Sequence, residues 1–428
     1  MFTYRTVPPE KRKFESLEIT RAELKHLGNN ISQYIINSDN YEVIRIDLIF
    51  DAGISRQDMP LTASTTNAML MEGTRNLSSS QIAGLLDFNG AYLNVEANPD
   101  TATVSLLSLN KRLPETITVL NELIKEPSFP EKELKVYLNK RKQNFIIDNS
   151  KVKVLAQRCF NELIFGACHP YGQKVEVPDF DNINNGQLIE FHSRHYTSDN
   201  CKIILSGLVN EPVTDFTGEY FGKAMWNNDK TSIFNNNVIE DKQPEKVMIN
   251  KPDAVQSAIR IGKLMINRDH PDHTGMIVLN TVLGGYFGSR LMSKIREEKG
   301  YTYGIGSIIV SLQQAAYFFV STEVAAEVVK ECTNDIYTEI RKLREELITE
   351  EELNRVRSYM SGDLLRQFDG PFASADGLRT ILDSNLDYSF YEQLFHTIRQ
   401  ITPMELNMLA NKYLKEESFT EVVAGKNN

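Results

Sequence analysis

Tyr196 to Gly207 reads Y-T-S-D-N-C-K-I-I-L-S-G, and Tyr413 to Gly425 reads Y-L-K-E-E-S-F-T-E-V-V-A-G. Each stretch leaves a helical pattern at an aromatic, crosses a short polar turn and enters an apolar run that stops at glycine. The separation of the two tyrosines and that of the two glycines differ by a single residue. So constant an offset across a helix, a turn and a strand argues for two copies of one α+β unit. At 428 residues the chain also exceeds what one hydrophobic core usually supports.

Working outward, the first copy alternates at Val43 to Phe50, with Ile44, Ile46, Leu48 and Phe50 on one face of a half-buried strand. Thr62 to Met71 predicts a helix, and Ser78-Ser79-Ser80 caps a second one closed by Gly90. Strand-like runs at Tyr92 to Glu96 and Thr101 to Leu109 flank the turn signal Asn98-Pro99-Asp100. Helical patterns follow around Ile117 to Ile124, at Glu131 to Asp148 and at Val152 to Phe165, then one ending near Tyr196. The second copy repeats this order with strands at Ala258 to Ile266, Tyr303 to Val310 and Ala315 to Glu323. Val324, Val328, Cys332, Ile336, Ile340 and Leu343 then recur at helical intervals, Thr349 to Glu352 predicts a capping box, and Thr402-Pro403-Met404-Glu405 opens the last helix. The expected organisation is a domain over 1–225, an Asn- and Lys-rich linker over 226–246 and a homologous domain over 247–428. Each domain is expected to be α+β, a largely antiparallel sheet with helices packed on one face.

A formal net charge of -10 repels phosphate backbones and anionic lipid, which argues against nucleic acid or a membrane surface as partner. Met1 to Pro9 lacks the apolar core of a signal peptide and no later run is long enough to span a bilayer, so a cytoplasmic protein is expected, although a leader could have been removed. Cys159, Cys168, Cys201 and Cys332 lie far apart and read as reduced core thiols.

Leu283 to Ser307, L-G-G-Y-F-G-S-R-L-M-S-K-I-R-E-E-K-G-Y-T-Y-G-I-G-S, gathers glycines for tight turns with Arg290, Lys294 and Arg296 at helical spacings and a strand carrying Tyr301 and Tyr303. No Gly-Lys-Ser/Thr follows, so this is not a phosphate loop. Taken alone, Arg296 also reads as a solvated cation and Tyr303 as a strand residue over the core.

The stretch L-G-G-x-F-x-S-R-L from Leu283 to Leu291, with Arg296 and Tyr303 seven residues apart, resembles the second domain of the inverzincin peptidases of the pitrilysin and insulin-degrading-enzyme type, which include mitochondrial processing peptidase. His169-Pro170-Tyr171-Gly172 and Arg194-His195-Tyr196 with Asn200 and Gly207 are similar to the first domain. Active members carry H-x-x-E-H on the first helix and a third ligand, Glu, on a later one. Anchored on Met69-Leu70 and Gly73-Thr74, the motif falls on Ser64, Asn67 and Ala68, and a gap-free count puts the third ligand at Asn144. Alanine has no donor atom, serine is a poor zinc ligand and asparagine cannot take a proton from water, so no metal is expected on this chain.

In the family, an Arg and a Tyr of the second domain hydrogen-bond the substrate beside the scissile bond, and Arg296 and Tyr303 match those positions. Some members divide the labour between a zinc-bearing chain and one supplying the Arg and Tyr. The resemblance therefore implies a non-zinc subunit that binds peptide substrates and completes the site of a zinc-bearing homologous partner, a heterodimer whose zinc is all in that partner. Two other readings stay open, an inactive scaffold and a homodimer that binds peptides without cutting them. Asn94 matches an asparagine on the strand where active members bind extended peptide. His192-x-x-His195 and His270-Pro271-Asp272-His273 are the close histidine pairs; the first reads as structural, and in the second Asp272 or a neighbour is expected to cap a helix.

Overall fold

A computed structural model describes residues 16–39, 42–227, 239 and 242–426. Most of the expected linker and the whole N-terminal stretch 1–15 lie outside the described residues. The first half forms strands β1 (Glu23–His26), β2 (Ser32–Asn37), β3 (Val43–Phe50), β4 (Tyr92–Ala97), β5 (Ala102–Leu109) and β6 (Cys201–Gly207). Its helices are α1 (Thr62–Met69), α2 (Ser79–Phe88), α3 (Leu113–Lys125), α4 (Glu131–Asp148), α5 (Val152–Phe165), α6 (Asp179–Asn182), α7 (Asn185–His195) and α8 (Glu211–Thr217). The second half forms β7 (Lys246–Asn250), β8 (Gln256–Met265), β9 (Ile305–Ser311), β10 (Ala316–Ala325) and β11 (Thr420–Gly425). With them go α9 (His273–Asn280), α10 (Val329–Glu345), α11 (Glu350–Arg366), α12 (Pro371–Leu382), α13 (Ser389–Gln400) and α14 (Pro403–Tyr413).

The strands make two sheets, ordered β1-β2-β6-β3-β5-β4 and β7-β11-β8-β10-β9. Without β1 the two orders match strand for strand, each with a parallel pair, β2 with β6 and β7 with β11, beside antiparallel neighbours. The duplicated stretches form the interior strands β6 and β11, and Gly207 ends β6 at φ +112°, where a Cβ would lie 2.1 Å from the Val43 carbonyl oxygen. That contact leaves room only for glycine.

One face of each sheet packs on helices of its own half, and the other face is covered by a helix from the opposite half, α12 on the first sheet and α5 on the second. On β6, Ile203 and Leu205 enter the core of the first half, whereas Ile204 packs with Ile36, Ile49 and α12 residues Ala375 and Leu378 of the second. On the second sheet, Ala258, Val422 and Ala424 meet Val152, Ala156 and Phe160 of α5, while Ile259, Ile261 and Val423 face their own half. Strands buried on both faces read as continuous apolar runs, which is why K-I-I-L-S shows no alternation. No described helix is long and apolar enough to cross a membrane.

Four local expectations are corrected. Val324 falls on β10, and the helix begins after a 3-10 turn at Ala326–Val328, because a residue buried in a strand can continue a helical spacing by coincidence. Tyr303 precedes β9 instead of lying on it, since the Thr302 hydroxyl bonds to the Gly304 and Glu323 carbonyls and turns the chain there. Thr349 caps α11 by accepting from the Glu352 amide, but the Glu352 carboxylate is drawn away to Arg290. Cys168 is exposed, so not all the thiols belong to the core.

Candidate functional site

Ser64, Asn67 and Ala68 lie together on α1, which packs against β4, the free edge of the first sheet. Asn94 is exposed on that edge strand, opposite Ser105 of β5. Asn67 is buried, and its Oδ1 accepts a 3.0 Å hydrogen bond from the Tyr196 hydroxyl. Burial of Tyr196 holds that phenol far above its ordinary range, so it remains a donor, and Asn67 is tied into the fold as an acceptor.

Facing Ser64 from α4 is Arg141, a residue the sequence reading did not single out. Its Nη2 donates to Ser64 Oγ at 2.8 Å and its Nη1 to Thr65 Oγ1 at 3.0 Å. Asn144, the position reached by counting, is exposed one turn further along the same helix. The only early signal was spacing, since Arg141 precedes Asn144 by one helical turn, but within K-R-K-Q-N it reads as one more solvated cation. Two hydroxyls, an amide committed to a phenol, a methyl group and a guanidinium do not fit a zinc ion, which needs neutral imidazole, thiolate or carboxylate donors.

The segment matched to the second-domain motif passes through two π-helical stretches, Thr281–Gly285 and Met292–Glu298, wide turns that recur at functional sites. Its cations have different fates. Arg290 forms a bidentate pair with Glu352, Nε to Oε1 at 2.8 Å and Nη2 to Oε2 at 2.9 Å, in a half-buried setting. Lys294 pairs with Glu298 one turn on. Arg296 has no carboxylate partner among the described residues, and its guanidinium lies 4.7 Å from the centroid of the exposed Phe287 ring. Tyr303 is 94% exposed and lines a groove of about 170 Å³ with Thr302, Thr322 and Glu323, joined from the first half by Lys153 of α5. Gly284 backs this segment, since a Cβ there would lie 2.6 Å from the Ser307 amide nitrogen.

The histidine pairs are structural. His192 Nε2 lies 2.9 Å from the Ile124 carbonyl, and burial lowers its pKa to about 4. His195 packs on Phe191 and is lowered to about 4 by burial and by Arg56 and Arg194. Asp272 stands at the N-cap of α9 without capping it, because Lys412 and Tyr413 take its carboxylate; the His270 ring accepts from the Asp272 amide instead. Among the described residues no three His, Cys, Asp or Glu side chains are grouped to hold a metal ion.

Two sheets of matching strand order, each covered by helices, and a helix α1 that offers no zinc donors at Ser64, Asn67 or Ala68 beside the edge strand β4 define a duplicated sheet-and-helix protein. The family described as insulinase, peptidase family M16, matches residues 34–158, and that described as the peptidase M16 inactive domain matches 182–360. Between them they span most of the chain, which belongs to the M16 family. An uncharacterized zinc protease, YmxG, of Bacillus subtilis is 20% identical over 367 residues, 84% of this chain and 87% of that one. A non-peptidase homolog, also YmxG, from Helicobacter pylori is 23% identical over 353 residues, 79% and 78% of the two chains. The crystal structure of a peptidase M16 inactive domain from Pseudomonas fluorescens superposes with a TM-score of 0.84 at 24% identity, covering 95% of this chain and 98% of its own.

Proposed function

We propose that this chain is the non-zinc subunit of a two-chain M16 peptidase, binding substrate peptide and lending Arg296 and Tyr303 to a site whose zinc is held by an H-x-x-E-H homologue. The observation that carries this reading is the contrast along one segment: Arg290 and Lys294 are consumed by ion pairs, whereas Arg296 rests on a ring face and Tyr303 stands in solvent. Neither group contributes to this chain's core, and both are long donors presented outward. A guanidinium and a phenol aimed at a developing oxyanion supply stabilisation of about 2.7–4 kcal/mol per donor. The zinc of the partner would supply the hydrolytic water, and this chain would hold the peptide carbonyl and exclude solvent.

The free edge of β4 supports the peptide-binding part, since an extended chain added there would pair its backbone and run beside α1. The same edge favours a second reading, a homodimer that captures peptides without cutting them. Purification of the tagged chain from its native cell extract separates the two. Co-purification of an H-x-x-E-H homologue, with zinc in the complex and none in the isolated chain, supports the heterodimer; stoichiometric zinc in the isolated chain overturns it.

A further inference from the structure

We propose that Arg141, seated where active relatives hold their metal, makes this site a receptor for the C-terminal carboxylate of a peptide. Three observations carry this. First, the guanidinium bridges α4 to α1 through Ser64 and Thr65, so it is held in one place by two hydroxyls. The Tyr137 ring, one turn earlier on α4, lies 5.9 Å from it.

Second, the charge is uncompensated. Among the described residues no carboxylate pairs with Arg141, whereas the adjacent Lys142 is paired with Asp181. Hydroxyl oxygens satisfy hydrogen bonds without neutralising the cation, and the guanidinium fork keeps further N–H donors beyond those given to Ser64 and Thr65. A half-buried cation whose direct partners are neutral hydroxyls favours an anion, and a carboxylate matches the fork in two parallel charge-assisted bonds. Third, α1 lies against β4, whose outer edge has no partner strand among the described residues. A peptide extended along that edge would end beside α1, the helix to which Arg141 is hydrogen-bonded, with its terminal carboxylate toward that guanidinium. The metal seat has thus kept its positive charge and lost its chemistry, and the ligand it takes is a peptide end instead of a bond to be cut.

The inference rests on the peptide-binding part of the proposed function and is independent of Arg296 and Tyr303. Its test uses the full chain and a short, fluorescent, β-prone peptide in three forms: free C-terminal acid, C-terminal amide, and an amide whose last residue is Glu. Anisotropy titrations are run on the wild type and on Arg141→Gln, which keeps an amide donor toward Ser64 and Thr65 without the charge. The expected result is binding of the free acid about tenfold more tightly than either amide by the wild type, and no discrimination by Arg141→Gln. Equal binding of acid and amide overturns the inference while leaving peptide binding intact. Discrimination that persists in Arg141→Gln, tight binding of the Glu-ended amide, or no binding of any form also overturns it.

Discussion

Replacing Asp383 with asparagine should stabilise the protein at neutral pH and leave it unchanged in acid. Asp383 ends α12, the helix that the second half lays on the sheet of the first, and its carboxyl faces the junction between the halves. Burial pushes its pKa from 3.8 up to about 6; Arg379 and Lys202 oppose the shift, and Asp51 and Asp100 add to it. The carbonyl end of the helix also disfavours a negative charge. The folded pKa is raised, so the fold prefers the protonated acid. Its contribution is fully present below about pH 4 and is lost as the pH rises through about 6. A displacement of about two units corresponds to roughly 3 kcal/mol at most, and residual solvent contact brings the expected effect to about 1–3 kcal/mol. Calorimetry of wild type and Asp383→Asn from pH 4 to 8 should show midpoints that coincide at the acid end and then diverge to a plateau of a few degrees above pH 6, with the variant higher. A variant that is less stable at neutral pH, or a difference that does not vary with pH, would refute the reasoning.

Gly207→Ala should destabilise by at least about 3 kcal/mol, because a Cβ at φ +112° meets the Val43 carbonyl at 2.1 Å; denaturant midpoints or loss of soluble protein would report it. Tyr196→Phe strands the buried Asn67 amide oxygen and should cost about 1–3 kcal/mol in the same measurement. Arg290→Ala breaks the half-buried bidentate pair and should cost about 1.5–3 kcal/mol, whereas Glu352→Gln, which can still accept, should cost less.

Periodicity made the duplicated fold legible. Ile44, Ile46, Leu48 and Phe50 alternate as a strand one face of which belongs to a core, and the helical segments read over 131–148 and 152–165 have the observed bounds of α4 and α5. What periodicity cannot say is which sheet an apolar face will meet. Phe160 of α5 and Leu378 of α12 are ordinary core residues by pattern, yet each covers the sheet of the other half. At the positions that the resemblance matches to the metal motif, Ser64, Asn67 and Ala68, the lack of zinc donors was visible as residue types. The occupant was not, because Arg141 reaches α1 through a long side chain whose direction depends on how α4 packs. On the Arg/Tyr segment the motif named the residues, but which of its cations form ion pairs depends on where Glu352 and Glu298 lie.

The most direct measurement is peptide hydrolysis by the H-x-x-E-H homologue reconstituted with wild-type, Arg296→Ala or Tyr303→Phe chains, with assembly and zinc content checked in each complex. The account predicts intact assembly, unchanged zinc and kcat lowered on the order of 10²- to 10³-fold by either substitution. Undiminished turnover by fully assembled complexes carrying either substitution would contradict it.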